Sequence, residues 1–220
     1  MLIGSILTVL AIAQLILGLW FLFGKQRNQT LLWYGLFMVG VALYVGANGL
    51  GYLNWLISQA QAEHVAWTGA AIITTFILPF SLTFPLPRRT MRELLPLIAW
   101  PLAIFLPGIL FSDAFILQQG KVNFGNGYMT QTGTYFPFFL AFFIMYWLWA
   151  FVNFGRSLKT SDGVHKQQII TFLIGTSISF ALSGYFDIIK PLTSATQFGY
   201  IGSLCSSIWF GFTAYILVKK

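Results

Sequence analysis

The chain has 220 residues, of which 57% are hydrophobic and 8% are charged, and its formal net charge is +7. Soluble domains carry about 25% charged residues, so this composition excludes an ordinary soluble protein and indicates a membrane protein. The twelve lysines and arginines are therefore interpreted first as signals of membrane topology, and no nucleic-acid partner is expected.

Seven apolar segments follow one another along the chain, each long enough for a transmembrane helix. They lie at about residues 2–23, 31–53, 64–84, 94–111, 135–155, 168–187 and 197–218. Lipid offers no hydrogen bonds to the backbone, so a spanning segment must be a helix or a barrel strand, and these segments are too long for strands. The sequence predicts an all-α fold, a seven-transmembrane helix bundle that forms one domain over residues 1–220.

Basic residues are distributed unequally between the two ends of the predicted bundle. Ten of the twelve follow helices 1, 3, 5 and 7, whereas Lys121 and Lys190 lie on the other side. The ten are Lys25, Arg27, Arg88, Arg89, Arg92, Arg156, Lys159, Lys166, Lys219 and Lys220. Because cytoplasmic loops carry the excess of lysine and arginine, the pattern predicts the amino terminus outside and the carboxyl terminus in the cytoplasm.

Residues 112–134 form the longest segment between two predicted helices, and they fall on the outer side. "KVNF" and "YMTQT" can alternate as short strands around Gly125, Asn126 and Gly127, residues that tolerate the positive φ of a tight turn. The segment therefore predicts a β-hairpin. A loop without regular structure remains the alternative, because isolated two-stranded hairpins are marginal in water.

Small residues recur at intervals of four on three of the predicted helices. Helix 2 carries Ala42 and Gly46, helix 6 carries Gly175, Ser179 and Ser183, and helix 7 carries Gly199, Ser203, Ser207 and Gly211. Small side chains allow close approach of helices in lipid. Two interpretations stay open: packing within the bundle and a homodimer interface.

Residues with catalytic or metal-binding chemistry are few and scattered. None of the five carboxylates is predicted in the middle of the membrane: Glu63, Glu93, Asp113, Asp162 and Asp187. His64 and His165 fall at opposite ends, and Cys205 is the single cysteine, so no shared metal or haem site and no disulfide is predicted. We expect no cofactor, no metal and no catalysis.

Polar residues near the predicted outer helix ends could line one pocket. They are Gln14, Tyr44, Asn48, Trp67, Tyr185, Asp187 and Gln197. Tyr44, Asn48, Trp67, Tyr185 and Asp187 are taken as candidate ligand-binding residues. In the competing interpretation, the tyrosines and the tryptophan are interfacial anchors, and Asp187 caps its helix or pairs with Lys190.

Several longer stretches carry a family pattern. Helix 3 ends in "FILPFSLTFPLPRR", helix 5 runs through "GTYFPFFLAFFIMYWLWAFVNFGRSLKTSDGVHKQQI", and the last part reads "SGYFDIIKPL" and "FGYIGSLCSSIWFGFTAYILVKK". In order and topology these stretches resemble the seven-helix amino-terminal sensor region of bacterial histidine kinases. In histidine kinases this region is followed by a phosphoacceptor helix and an ATP-binding domain, and neither is present in residues 1–220. We therefore expect either a part of a longer kinase or a free-standing sensor half.

The resemblance implies a non-catalytic receptor or sensor module in a bacterial inner (plasma) membrane. It would pass an external or membrane signal through helix 7 to a cytoplasmic signalling module, in cis or in trans. Expected partners are membrane lipids, a small or hydrophobic ligand and a second copy in a homodimer. Two alternatives remain: a small transporter or lipid-handling membrane protein, and a structural subunit of a membrane complex.

Overall fold

The computed structural model describes residues 2–24, 28–53, 56–85, 89–124, 127–189 and 200–218. Within these ranges the chain forms seven α-helices and two β-strands, and a π-helical segment, Gly184–Ile189, continues α6. The elements are α1 Leu2–Phe23, α2 Gln29–Leu53, α3 Gln59–Thr83, α4 Met91–Leu110, β1 Ile116–Phe124, β2 Gly127–Thr132, α5 Phe136–Thr160, α6 Gly163–Ser183 and α7 Tyr200–Val218. The predicted all-α bundle is confirmed.

Helix length and composition are consistent with a membrane location. In the described part of the chain, α1 to α6 are each long and apolar enough to cross a bilayer. The spans of α2 and α3 are the most buried of the six, so these two helices form the centre of the bundle. α7 packs against α6, α1 and α2.

Several helices extend beyond the apolar segments that predicted them. α3 begins at Gln59 rather than at residue 64, because Ser58 and Gln61 form a capping box. The Ser58 hydroxyl oxygen accepts a hydrogen bond from the backbone N–H of Gln61 at 3.2 Å, and Gln61 Oε1 accepts one from the backbone N–H of Ser58 at 2.9 Å. A capped first turn can be polar and still helical, so hydropathy alone misses it.

Helices α5 and α6 differ from their predicted bounds for a similar reason. α5 ends at Thr160 and α6 begins at Gly163, whereas the apolar pattern placed these limits at 155 and 168. The added turns carry charged and polar side chains that are exposed, including Lys159 and Lys166. Backbone hydrogen bonds continue a helix into water, where a polar sequence no longer costs free energy of transfer.

The segment predicted as a hairpin consists of the antiparallel strands β1 and β2. Phe124 pairs with Gly127 and Val122 with Met129, and the register shifts between Ile116 and Lys121. β1 lies against α3, and its first residue, Ile116, is buried. We call the end of the bundle that carries these strands the hairpin end.

Aromatic side chains fill the interior in two clusters. The first joins all seven described helices and includes Tyr34, Phe37, Phe80, Phe172 and Phe210. The second joins α3, α4, α5 and the start of β1, and we call it the aromatic cluster. Its buried members include Trp67, Phe105, Phe115, Ile116, Phe136, Phe139, Phe142 and Tyr146.

Candidate functional site

A polar contact joins α2 to α7 near the hairpin end. The Asn48 side-chain amide donates to the Ser203 hydroxyl oxygen, with Nδ2 and Oγ 3.1 Å apart. Ser203 is fully buried, and the Ser207 hydroxyl, one turn further, donates to the Ser203 carbonyl at 2.7 Å. Serine side chains are small enough to let the helices approach, so one residue of α7 serves both packing and hydrogen bonding.

A second contact joins the same two helices about two turns further along α7. The Tyr34 hydroxyl donates to the Phe210 carbonyl oxygen at 2.7 Å, and the Phe37 ring meets the Phe210 ring edge-on with centroids 4.8 Å apart. Tyr34 and Phe37 are fully buried. Because most buried hydroxyls are hydrogen-bonded, the Tyr34 bond favours one axial position of α7 relative to α2.

α6 and α7 touch at three levels. The Ser183 and Ser206 hydroxyl oxygens lie 2.7 Å apart, the indole of Trp209 covers Gly175, and Gln168 Nε2 donates to the Ile216 carbonyl at 3.2 Å. These contacts run from the hairpin end of the pair to the opposite end. Together with Asn48–Ser203 and Tyr34–Phe210 they form what we call the α7 contacts.

The small residues predicted as packing faces mostly meet neighbours within the chain. Ala42, Ser179, Ser203 and Ser207 are buried, and Gly175 lies against Trp209. A Cβ placed on Gly46 would lie 3.2 Å from the Ala11 Cβ of α1.

The described structure shows no packing neighbour for two of the four small residues predicted as a packing face on α7. A Cβ placed on Gly211 would meet no described atom within 4 Å, and Gly199 lies outside the described residues. The homodimer remains a prediction.

A carboxylate that the sequence placed at a helix end is buried. Glu63 is 4% exposed, and Trp67 Nε1 donates to its Oε1 at 2.8 Å. The two residues are four apart and therefore share one face of α3. That spacing is visible in the sequence, but only the packing around α3 shows that this face is turned inward.

Trp67 links this carboxylate to the aromatic cluster. Its ring meets the rings of Phe136 and Phe139 edge-on, with centroids 5.1 and 5.6 Å apart. Deeper in the cluster, Phe105 and Phe142 stack at 4.5 Å, and Phe115 meets Phe105 at 5.3 Å. The cluster therefore connects the start of α3 to α4, α5 and the segment leading into β1.

The family described as the N-terminal 7TM region of histidine kinase matches residues 6–216, nearly the whole chain. The chain belongs to this family. It is therefore a multi-pass membrane protein, and its region is the non-catalytic input part of histidine kinases, which act in signal transduction. No curated protein matches the chain.

In this 7TM region the five candidate ligand-binding residues fall into separate surroundings. Tyr44 packs against both clusters, Asn48 contacts α7, and Trp67 belongs to the aromatic cluster. Tyr185 is 47% exposed and its ring meets that of Phe186 at 5.1 Å. The Asp187 side chain lies outside the described part of the structure.

These positions define two polar contacts at the hairpin end of the 7TM region. One is the Asn48–Ser203 pair and the other is the Glu63–Trp67 pair. Tyr44 packs against both core clusters. Asn48, Trp67 and Ser203 were predicted from the sequence, whereas Glu63 was not predicted as a buried partner.

Proposed function

We propose that this 7TM region receives an external or membrane signal and passes it through α7 to a cytoplasmic signalling module, in cis or in trans. Membership of the histidine kinase input family supports a sensory role without catalysis. The α7 contacts carry the proposal, because they couple the last helix to α2 and α6 from the hairpin end to the opposite end.

The energetics of these contacts suit a helix that changes its packing. Hydrogen bonds between membrane helices contribute about 0.6 kcal/mol on average and at most about 1.7 kcal/mol. A ligand that favours one arrangement of α7 by a few kcal/mol can therefore shift the equilibrium between two arrangements. Ile208 and Phe212 of α7 are exposed.

The proposed direction of signalling places the hairpin end outside and the opposite end in the cytoplasm of a bacterial cell. Five described basic residues, Arg89, Arg92, Arg156, Lys159 and Lys166, are exposed and lie at the end opposite the hairpin, whereas Lys121 lies in β1. An excess of lysine and arginine is typical of the cytoplasmic side, which supports the inner (plasma) membrane with the hairpin outward.

A fusion protein tests the proposal. Residues 1–220 are joined to the dimerisation and ATP-binding domains of a histidine kinase, and autophosphorylation is measured in reconstituted membranes. We expect Asn48→Leu and Ser206→Ala to change the basal phosphorylation rate, because both remove a contact of α7. The matched control is Ile208→Leu, since Ile208 is 62% exposed on the same helix. Equal rates in all four proteins would show that the α7 contacts do not set the output.

A further inference from the structure

A buried amide in the middle of α1 has no hydrogen-bond partner. Gln14 is 3% exposed, and within the described residues neither its Oε1 nor its Nε2 has a partner. Burying an amide without partners costs about 1–3 kcal/mol by protein mutational data, and lipid offers no compensation. An apolar side chain would fill the same place without this cost.

The position of Gln14 follows from the residues on either side of it. The buried face of α1 includes Leu7, Ala11, Gln14, Gly18 and Phe21. This face lies against α2: Ala11 is next to Gly46, Gly18 is next to the Gly35 carbonyl, and Phe21 meets Tyr34 edge-on at 5.5 Å. Gln14 therefore lies inside the α1–α2 contact, at the level between Gly46 and Gly35, and α7 also packs on α1.

The surroundings restrict what could bind this amide. α1, α2 and α7 contain no charged residue, and Glu63 is the one buried charged side chain among those described. A charged group beside Gln14 would have no counter-charge in lipid. The amide offers one acceptor atom and one donor atom, so its complement is an uncharged group that both donates and accepts.

The route to Gln14 is apolar. Its neighbours Ile12, Leu15 and Ile16 are exposed on the surface of α1, which in a membrane faces lipid. A ligand that arrives from the bilayer therefore needs an apolar body as well as an uncharged polar head.

We propose that Gln14 is the polar anchor of a binding site between α1, α2 and α7 for a lipophilic molecule with an uncharged amide or alcohol head. The head pairs with the Gln14 amide, and the apolar body lies along α1 toward the bilayer. The role of this site as a signal input rests on the function proposed above. Binding of the molecule to Gln14 does not depend on that function. The test therefore measures binding alone.

The experiment uses the full chain in nanodiscs of saturated phosphatidylcholine. Decanamide and 1-decanol are the probes, n-decane is the apolar control, and the midpoint of thermal unfolding is measured for the parent and for Gln14→Met. Thr8→Val is the matched control on the same helix, because the Thr8 hydroxyl already donates to the Gly4 carbonyl at 2.8 Å.

We expect decanamide or 1-decanol to raise the midpoint of the parent and of Thr8→Val saturably. At about ten times the dissociation constant the rise is about 3–6 °C. Gln14→Met should lack this saturable rise, while n-decane affects all three proteins equally. Without a probe, Gln14→Met should be at least as stable as the parent, because it removes an unpaired amide.

Two results would overturn the proposal. Equal responses of the parent and Gln14→Met to both polar probes, including no response in either, would mean that the Gln14 amide binds no such head group. Water or lipid would then be enough to satisfy the hydrogen bonds of the amide. A lower probe-free midpoint for Gln14→Met would mean that the amide already has a partner in the unliganded bundle. Neither result bears on whether α7 transmits a signal, which the kinase fusion measures separately.

Discussion

Asn48 on α2 and Ser203 on α7 are 155 residues apart in the chain, yet the amide nitrogen of one lies 3.1 Å from the hydroxyl oxygen of the other. The contact sits beside the Ser207 hydroxyl bond to the Ser203 carbonyl, so a change at Ser203 reaches both α2 and the next turn of α7. It is one of the contacts between the central helix α2 and α7 at the hairpin end, where the rings of Tyr52 and Tyr200 also meet edge-on with centroids 6.2 Å apart.

A double-mutant cycle should measure this coupling. Ser203→Ala alone leaves the Asn48 amide without its partner, whereas Asn48→Leu with Ser203→Ala removes both groups. We expect a coupling free energy of about 0.6–1.7 kcal/mol from unfolding in mixed micelles. The same cycle between Asn48 and the exposed Ile208 should give no coupling, and a coupling of zero for Asn48 and Ser203 would contradict the bond.

Substitution by alanine should change the free energy of unfolding in opposite directions at two glycines of the predicted small-residue faces. A Cβ on Gly175 would overlap the Trp209 indole, whereas a Cβ on Gly211 would meet no described atom within 4 Å. Gly175→Ala should therefore lower the free energy of unfolding by about 1–3 kcal/mol, because overpacking forces side chains from their positions. Gly211→Ala should raise it by up to about 1 kcal/mol, because alanine favours helix.

Thermal unfolding of the two glycine variants in the same detergent checks this pair. If Gly175→Ala is as stable as the parent, Trp209 does not pack over Gly175. If Gly211→Ala is strongly destabilised, its face contacts a partner, and the predicted homodimer becomes the first explanation to examine by cross-linking in membranes.

Substitutions at Glu63 should separate its hydrogen bond from its charge. Glu63→Gln keeps an oxygen that can accept from Trp67 Nε1, whereas Glu63→Leu leaves that indole N–H unpaired. We expect Glu63→Leu to be less stable than Glu63→Gln by about 1–3 kcal/mol, the cost of an unsatisfied buried donor. In a Trp67→Phe background this difference should shrink, and an unchanged difference would exclude the bond as its cause.

Reporter fusions should decide the orientation. A reporter that is active only in the cytoplasm should be active when fused after Lys220 and silent when inserted at Asn126, because the basic residues favour the side opposite the hairpin. The matched control is insertion at Asp162, between α5 and α6, which should also be active. Activity at Asn126 with silence at the other two sites would reverse the proposed topology.

Hydropathy and length alone determined the architecture of this protein. Each apolar segment had to become a helix, because the bilayer leaves no other partner for backbone groups. The resemblance to the sensor-region family rested on longer sequence stretches of helices 3, 5, 6 and 7, in their order and topology. The strands of the hairpin were also visible in the alternation of "KVNF" and "YMTQT" around a turn sequence. The helix limits were less well predicted, since polar caps such as Ser58 and Gln61 lie outside any apolar pattern.

The candidate site depended on packing between distant segments. Periodicity showed that Ser203 and Gly175 lie on small-residue faces, but which helix each face meets depends on how seven helices are arranged. The burial of Glu63 and the unpartnered amide of Gln14 are likewise properties of neighbours on other helices. In lipid, apolar faces toward lipid and toward protein look alike in sequence, so only the tertiary structure distinguishes an interior polar group from an exposed one.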